Sequence, residues 1–167
     1  MTVTLGVDVS TRRIAVVGYN TYGRQLSGVF VLDAKGRRAA DRFPDLIAQF
    51  DALLGSEVTP QHRVMVEDVP YVQNARSTLD LAAVIGAVRA LCVVRGIQCE
   101  TANTMTWRWA IGAGGRKSDI RDWAAARGFE HKLQDVIDAY CIAVYGSEEF
   151  KSGGYGTRVP RAAAPTA

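Results

Sequence analysis

Three apolar, β-branched runs fall within the first 32 residues, at 3–9, 13–19 and 26–32, with only a few residues between them. The joins, Ser10-Thr11-Arg12 and Asn20-Thr21-Tyr22-Gly23, are turn chemistry. A parallel pair needs a crossover of about a dozen residues or more, so joins this short require antiparallel pairing. The rhythm then changes. Residues 45–54 place Leu46, Ile47, Phe50, Leu53 and Leu54 at helical spacing. A fourth strand, RVMVE, covers 63–67; a long helix at 78–94 stops at Gly96; a fifth strand covers 97–101. Two short helices, 104–111 and 118–127, flank a Gly-rich basic stretch, GAGGRK, and a last helix covers 133–145. Strands separated by a helix pair in parallel. The order therefore predicts an α/β fold with a five-stranded mixed sheet, three strands antiparallel and two parallel, flanked by helices.

The 167 residues suffice for one domain with a substantial core and not for two. We assign that domain to residues 1–150. The segment 151–167, SGGYGTRVPRAAAPTA after Lys151, has no periodicity and reads as a disordered, mildly basic tail. No uninterrupted apolar run reaches the ~18 residues of a membrane span, and the N-terminus lacks signal-peptide features. The expectation is a cytoplasmic protein without a membrane partner. Cys92, Cys99 and Cys141 show no CxxC spacing and read as free thiols rather than zinc ligands. The net charge of +3 decides little, but sixteen of the twenty basic residues are Arg, which suits planar, bidentate contacts to phosphate.

Carboxylates stand where an apolar strand should not carry them. Asp8 lies near the end of LGVDVS, and Glu67 ends RVMVE. Each has a plainer reading: Asp8 capping a turn with Ser10, Glu67 as an exposed strand terminus. Asp135 and Asp138, in LQDVIDAYCIAVYG, share a helix face three residues apart, where a solvated first turn is the plainer reading. Together, two strand-end carboxylates and one such pair can meet at one edge of a mixed sheet. Four carboxylates in one place need neutralising, and hard divalent cations with oxygen ligands do so. Two Mg²⁺ ions, with Mn²⁺ as a substitute, are the natural choice and suit phosphodiester hydrolysis.

Four segments in order carry a resemblance. LGVDVSTRRIAVVGY, VEDVPYVQNARSTLDLAAVIGAVRAL, GAGGRKSDIRDW and LQDVIDAYCIAVYG resemble the RuvC family of Holliday junction resolvases across residues 3–146. The resemblance implies a ribonuclease H-like fold. It implies metal ligation by Asp8, Glu67, Asp135 and Asp138, and Lys117 as a base or phosphate clamp. It also implies a homodimer acting on branched DNA, above all four-way junctions, by paired nicking. Arg116, Lys117, Arg76 and Arg12 are the expected DNA contacts. Tyr71 is the candidate for base stacking in a loop where this chain has Pro70-Tyr71. The chain departs from the family in carrying Val9-Ser10 where many relatives have Pro-Gly after the first Asp.

The helix at 78–94 is apolar on more than one stripe, with Ile85 and Val88 among its surplus. It therefore needs a second burial surface, under this domain or against another copy. Trp107 and Trp109 flank Arg108; one of them in the core is the plainer reading, stacking on DNA the other. Two further functions fit the carboxylates less directly: an RNA-processing nuclease of the same fold, and a catalytically silent junction-binding protein.

Overall fold

Every expected strand is present in a computed structural model, which describes residues 3–20, 25–59, 61–68 and 75–151. The order is β1 (Val3–Val9), β2 (Arg13–Asn20), β3 (Gln25–Asp33), α1 (Ala39–Ser56), β4 (Arg63–Glu67), α2 (Ala75–Val94), β5 (Gln98–Ala102), α3 (Thr104–Ala110), α4 (Lys117–Ala125) and α5 (Gln134–Lys151). The strands form one sheet in the order β3-β2-β1-β4-β5. β1–β2 and β2–β3 pair antiparallel, β1–β4 and β4–β5 parallel. This is the ribonuclease H-like arrangement. The segment expected to be a disordered tail lies, from residue 152 on, outside the described residues.

Alternation along β1 divides the molecule into two layers. Val3, Leu5, Val7 and Val9 face α1 and α2, packing with Leu46, Phe50, Leu54, Val84 and Val88. The intervening residues Thr4, Gly6 and Asp8 face the other way. There Ala15, Val17 and Met65 of the sheet pack with Trp107, Ile120 and the apolar face of α5. Gly6 sets how closely α5 approaches. A Cβ built there would collide with Ala139 O and Ala143 N, backbone atoms of α5, and lie 2.8 Å from Ala143 Cα. The missing side chain seats the middle of α5 directly on β1, and with it the turn that carries Asp135 and Asp138.

α1 begins six residues before its apolar periodicity, at Ala39 rather than residue 45. Its first turns are anchored by a charged side chain, which no hydrophobic pattern reports. Arg42, only 5% exposed, donates Nε–H to Thr11 O at 2.7 Å and Nη1–H to Gly36 O at 2.8 Å. Asp41 accepts the Arg38 backbone N–H at 3.1 Å and so caps the helix start.

α2 links β4 to β5 and buries only Val84, Ile85, Val88 and Cys92. Ile85 and Val88, counted as surplus in the sequence, are core residues packed under the domain. The unburied apolar surface is elsewhere: Leu79, Val93 and Val94 are 70%, 73% and 83% exposed. By length and composition α2 is apolar enough to cross a membrane, but it is fixed on the sheet as the crossover between two paired strands and bears Arg89 on its surface. Cys92, Cys99 and Cys141 are free thiols, as expected.

Candidate active site

The fold brings the four carboxylates to one end of the sheet. Asp8 sits inside the β1–β2 ladder opposite Ala15. The turn that follows is closed by Ser10, whose Oγ accepts the Arg13 N–H at 2.9 Å and the Arg12 N–H at 3.3 Å. Ser10 does this without Asp8, so the turn-cap reading of Asp8 falls. Glu67 stands one residue beyond the last β1–β4 register pair, Val7–Val66, and is itself paired with Ala102 of β5. Strand alternation puts it on the same face as Met65, toward α5. From α5 come Asp135 and, one turn later, Asp138, which is 7% exposed and not on a solvated face.

The electrostatics follow from this placement. The Asp8 carboxyl is held well above the ordinary carboxylate range, first by burial, then by the charges of Glu67 and Asp138, a hydrogen bond with Glu67, and the charge of Asp135. Burial also raises Asp138, against a hydrogen bond from Gln134 Nε2 at 2.7 Å and the opposing charges of Arg108 and Lys117.

Three of the four carboxylates also have protein partners that sequence reasoning missed. Arg13 reaches from β2 to Asp135 Oδ2 at 3.5 Å while its Nε grips Asp33 Oδ1 at 2.6 Å. Arg108 approaches Asp138 Oδ2 at 3.9 Å and donates to Gly115 O at 3.3 Å. Thr104 Oγ1 and Trp107 Nε1 both donate to Glu67 Oε1, at 2.8 and 3.1 Å. In the sequence these residues are an ordinary strand Arg and three members of a short helix, and nothing local marks them.

The donor set fits hard divalent cations: all oxygen, half-buried and mutually repelling. Among the described residues no three acidic, His or Cys side chains are yet gathered closely enough to enclose an ion. Asp135 leans to Arg13, and Asp138 to Gln134 and Arg108.

The expected DNA contacts divide. Lys117 opens α4 and is exposed, and its charge opposes the rise of the Asp138 carboxyl. Arg116 is exposed but paired with Asp119 at 3.0 Å, where the two cap α4. Arg12, in the β1–β2 turn, and Arg76, in the first turn of α2, are both exposed. Tyr71 lies outside the described residues. Trp107 is fully buried, as the core reading required, while Trp109 is 67% exposed.

Solved structures with this fold include the RuvC of Thermus thermophilus in complex with a Holliday junction substrate. It has a TM-score of 0.75 and 16% identity, and the match covers 90% of this chain and 96% of that one. A second structure of Thermus thermophilus RuvC matches with a TM-score of 0.74 at 16% identity, over the same shares of each chain. No family model and no curated protein sequence matches the chain.

Proposed function

We propose that this protein is a Mg²⁺-dependent endonuclease that nicks branched DNA, four-way junctions above all, and works as a homodimer. The carrying observation is the meeting of Asp8 with Glu67, Asp135 and Asp138 at one sheet edge, at the cost of holding the Asp8 carboxyl far above its ordinary range. Acids gathered there repel one another, and divalent cations with oxygen ligands relieve that repulsion. The Thermus thermophilus RuvC with which it shares its fold was solved with a Holliday junction substrate, which supports branched DNA as the substrate class.

Asp8, Glu67, Asp135 and Asp138 are the residues that would hold the ions. When bound, two divalent ions supply Lewis acidity for the attacking water and the leaving oxygen. Arg13 pairs with Asp135 at 3.5 Å, and Asp138 accepts from Gln134 at 2.7 Å with the Arg108 guanidinium 3.9 Å away. Lys117 offers an ammonium, its charge felt at Asp138, at the start of a helix, where the first backbone N–H groups also favour an anion. A phosphate of the substrate can meet both. Lys117→Ala should therefore slow single-turnover cleavage by about 10²-fold or more and weaken junction binding by far less. Equal losses in rate and affinity would reduce Lys117 to general electrostatic attraction.

The dimer rests on α2. Its exposed residues Leu79, Ala83, Gly86, Ala90 and Val93 follow a seven-residue spacing, small in the middle and large at both ends. Such a stripe lets a second helix approach closely and bury its apolar ends, and a two-fold axis there would pair two active sites for two nicks. A Cβ at Gly86 meets nothing within 4 Å, so a side chain there does not strain the monomer. Gly86→Gln should leave the fold of the single chain intact, because Gln is the better helix former by roughly 0.5–1 kcal/mol, while removing whatever concentration-dependent part of the melting temperature the partner supplies. It should also convert a sedimenting dimer to a monomer. A Gly86→Gln protein that still sediments as a dimer would move the interface elsewhere.

The test of the function itself is incubation with Mg²⁺ and end-labelled four-way junction, linear duplex and structured RNA. Symmetric nicks in the junction with little cutting of duplex are expected. Cleavage of RNA without preference for branches would make it an RNA-processing nuclease. Tight junction binding with no cleavage in Mg²⁺ or Mn²⁺ would make it a silent binding protein.

A further inference from the structure

Glu67 ends a strand, and its long side chain has three rotatable bonds by which to miss a ligand position. α3 removes that freedom. β5 pairs Ala102 with Glu67, and the Asp68 N–H reaches Ala102 O at 2.9 Å, so the β5–α3 junction lies beside the carboxylate. Asn103 then caps α3 by accepting the Met105 N–H at 2.9 Å. The helix thus starts one residue after the cap, and Thr104 and Trp107, three apart, share the face toward β4. Both donate to the same oxygen, Oε1, at 2.8 and 3.1 Å. The indole can only donate, so this contact has one polarity. Trp107 is wholly buried in the core beneath α4 and α5, so its N–H is aimed by packing rather than by chance.

On the reading that Glu67 is a metal ligand, we infer that Thr104 and Trp107 are positioning residues that occupy Glu67 Oε1 and reserve Oε2 for the metal ion. Glu67 would then hold an ion through a single oxygen. Such a ligand suits Mg²⁺, which demands near-octahedral geometry at short distance. The pair also fixes the carboxylate before the ion arrives. Hydrogen-bonding partners of metal ligands typically change metal affinity 10–100-fold when removed.

The test titrates the full-length protein with Mn²⁺, following the free ion by electron paramagnetic resonance, and records melting in chelator alongside. Thr104→Val keeps the shape and β-branching of the side chain and removes only the hydroxyl; Thr104→Ser keeps the hydroxyl. Thr104→Val should weaken Mn²⁺ binding about tenfold, Thr104→Ser should bind like the unmodified protein, and Trp107→Phe should weaken binding at least as much as Thr104→Val. If Trp107→Phe fails to fold, the Thr104 pair decides alone. A Thr104→Val protein that melts lower in chelator yet binds Mn²⁺ with unchanged affinity overturns the inference, since its hydrogen bond then serves only to hold α3 on β4. Asp8→Asn separates the two layers of the reading. Mn²⁺ binding that Asp8→Asn abolishes and Thr104→Val leaves intact sinks the positioning role alone. An unmodified protein that binds no more Mn²⁺ than Asp8→Asn sinks the metal centre and the positioning role together.

Discussion

Asp8→Asn protein is expected to bind a four-way junction almost as well as the unmodified chain and to cut it at least 10²–10³-fold more slowly, the cost of losing one preorganised electrostatic group at a reaction centre. The same substitution should stabilise the metal-free fold, with a defined pH dependence. Burial and three neighbouring carboxylates raise Asp8 in the folded state. Folded protein therefore keeps a proton there at pH values where the unfolded chain has lost it. The stability linked to that proton is complete below the ordinary carboxyl value of 3.8 and is lost as pH rises through the raised one. An Asn carries no such loss. The melting temperatures of the two proteins in chelator should nearly coincide in acid and diverge toward neutral pH, with Asp8→Asn the more stable. Mg²⁺ should reverse the order. At a hundredfold excess over its dissociation constant an ion that binds only the folded state contributes about 2.7 kcal/mol, or roughly 5–10 °C for a chain of this size. Asp8→Asn should gain little of that. Near-normal junction cleavage by Asp8→Asn, with an unchanged response to Mg²⁺, would remove the active site from this end of the sheet.

Gly6→Ala is expected to have the largest effect on stability. The added methyl group meets backbone atoms Ala139 O and Ala143 N, which cannot rotate away as a side chain would. Overpacking commonly costs 1–3 kcal/mol, and a backbone-to-backbone contact at the sheet centre should reach about 3 kcal/mol or exceed it. That corresponds to a fall in melting temperature of roughly 6–12 °C. The damage should extend to function, because relieving the clash lifts α5 from β1 and separates Asp138 from Asp8. Mg²⁺ should then stabilise Gly6→Ala less than the unmodified protein. Gly86→Ala, compared with the unmodified protein at a concentration where both are monomeric, is the internal control: within one chain this helix glycine has open space around it, and the same methyl group should be neutral or stabilising. Equal melting temperatures for Gly6→Ala and the unmodified protein would mean that α5 does not rest on β1 as described.

The sequence alone determined the sheet and the acids it carries. Tight joins after residues 9 and 19 allow only antiparallel neighbours, and the helices before and after residues 63–67 fit parallel crossovers, so the direction of all five strands was legible; that β4 lies beside β1 rather than β3 was decided by the tertiary structure. A period of two places Asp8 and Glu67 on defined faces, and a three-residue interval places Asp135 with Asp138. These are local rules, and local rules are legible. Tertiary structure decided everything that depends on distance between elements. That Gly6 is a seat for α5, rather than merely a small strand residue, follows only from the helix lying on it. That Arg13 holds Asp135, or that Arg42 anchors the start of α1, depends on which elements pack side by side. The division of α2 into a buried edge with Ile85 and Val88 and an open one with Leu79 and Val93 is likewise invisible in a helix apolar nearly all round. Hydrophobic pattern reports the face a residue is on. What that face meets is set by close packing between segments far apart in the chain, which no window of the sequence contains.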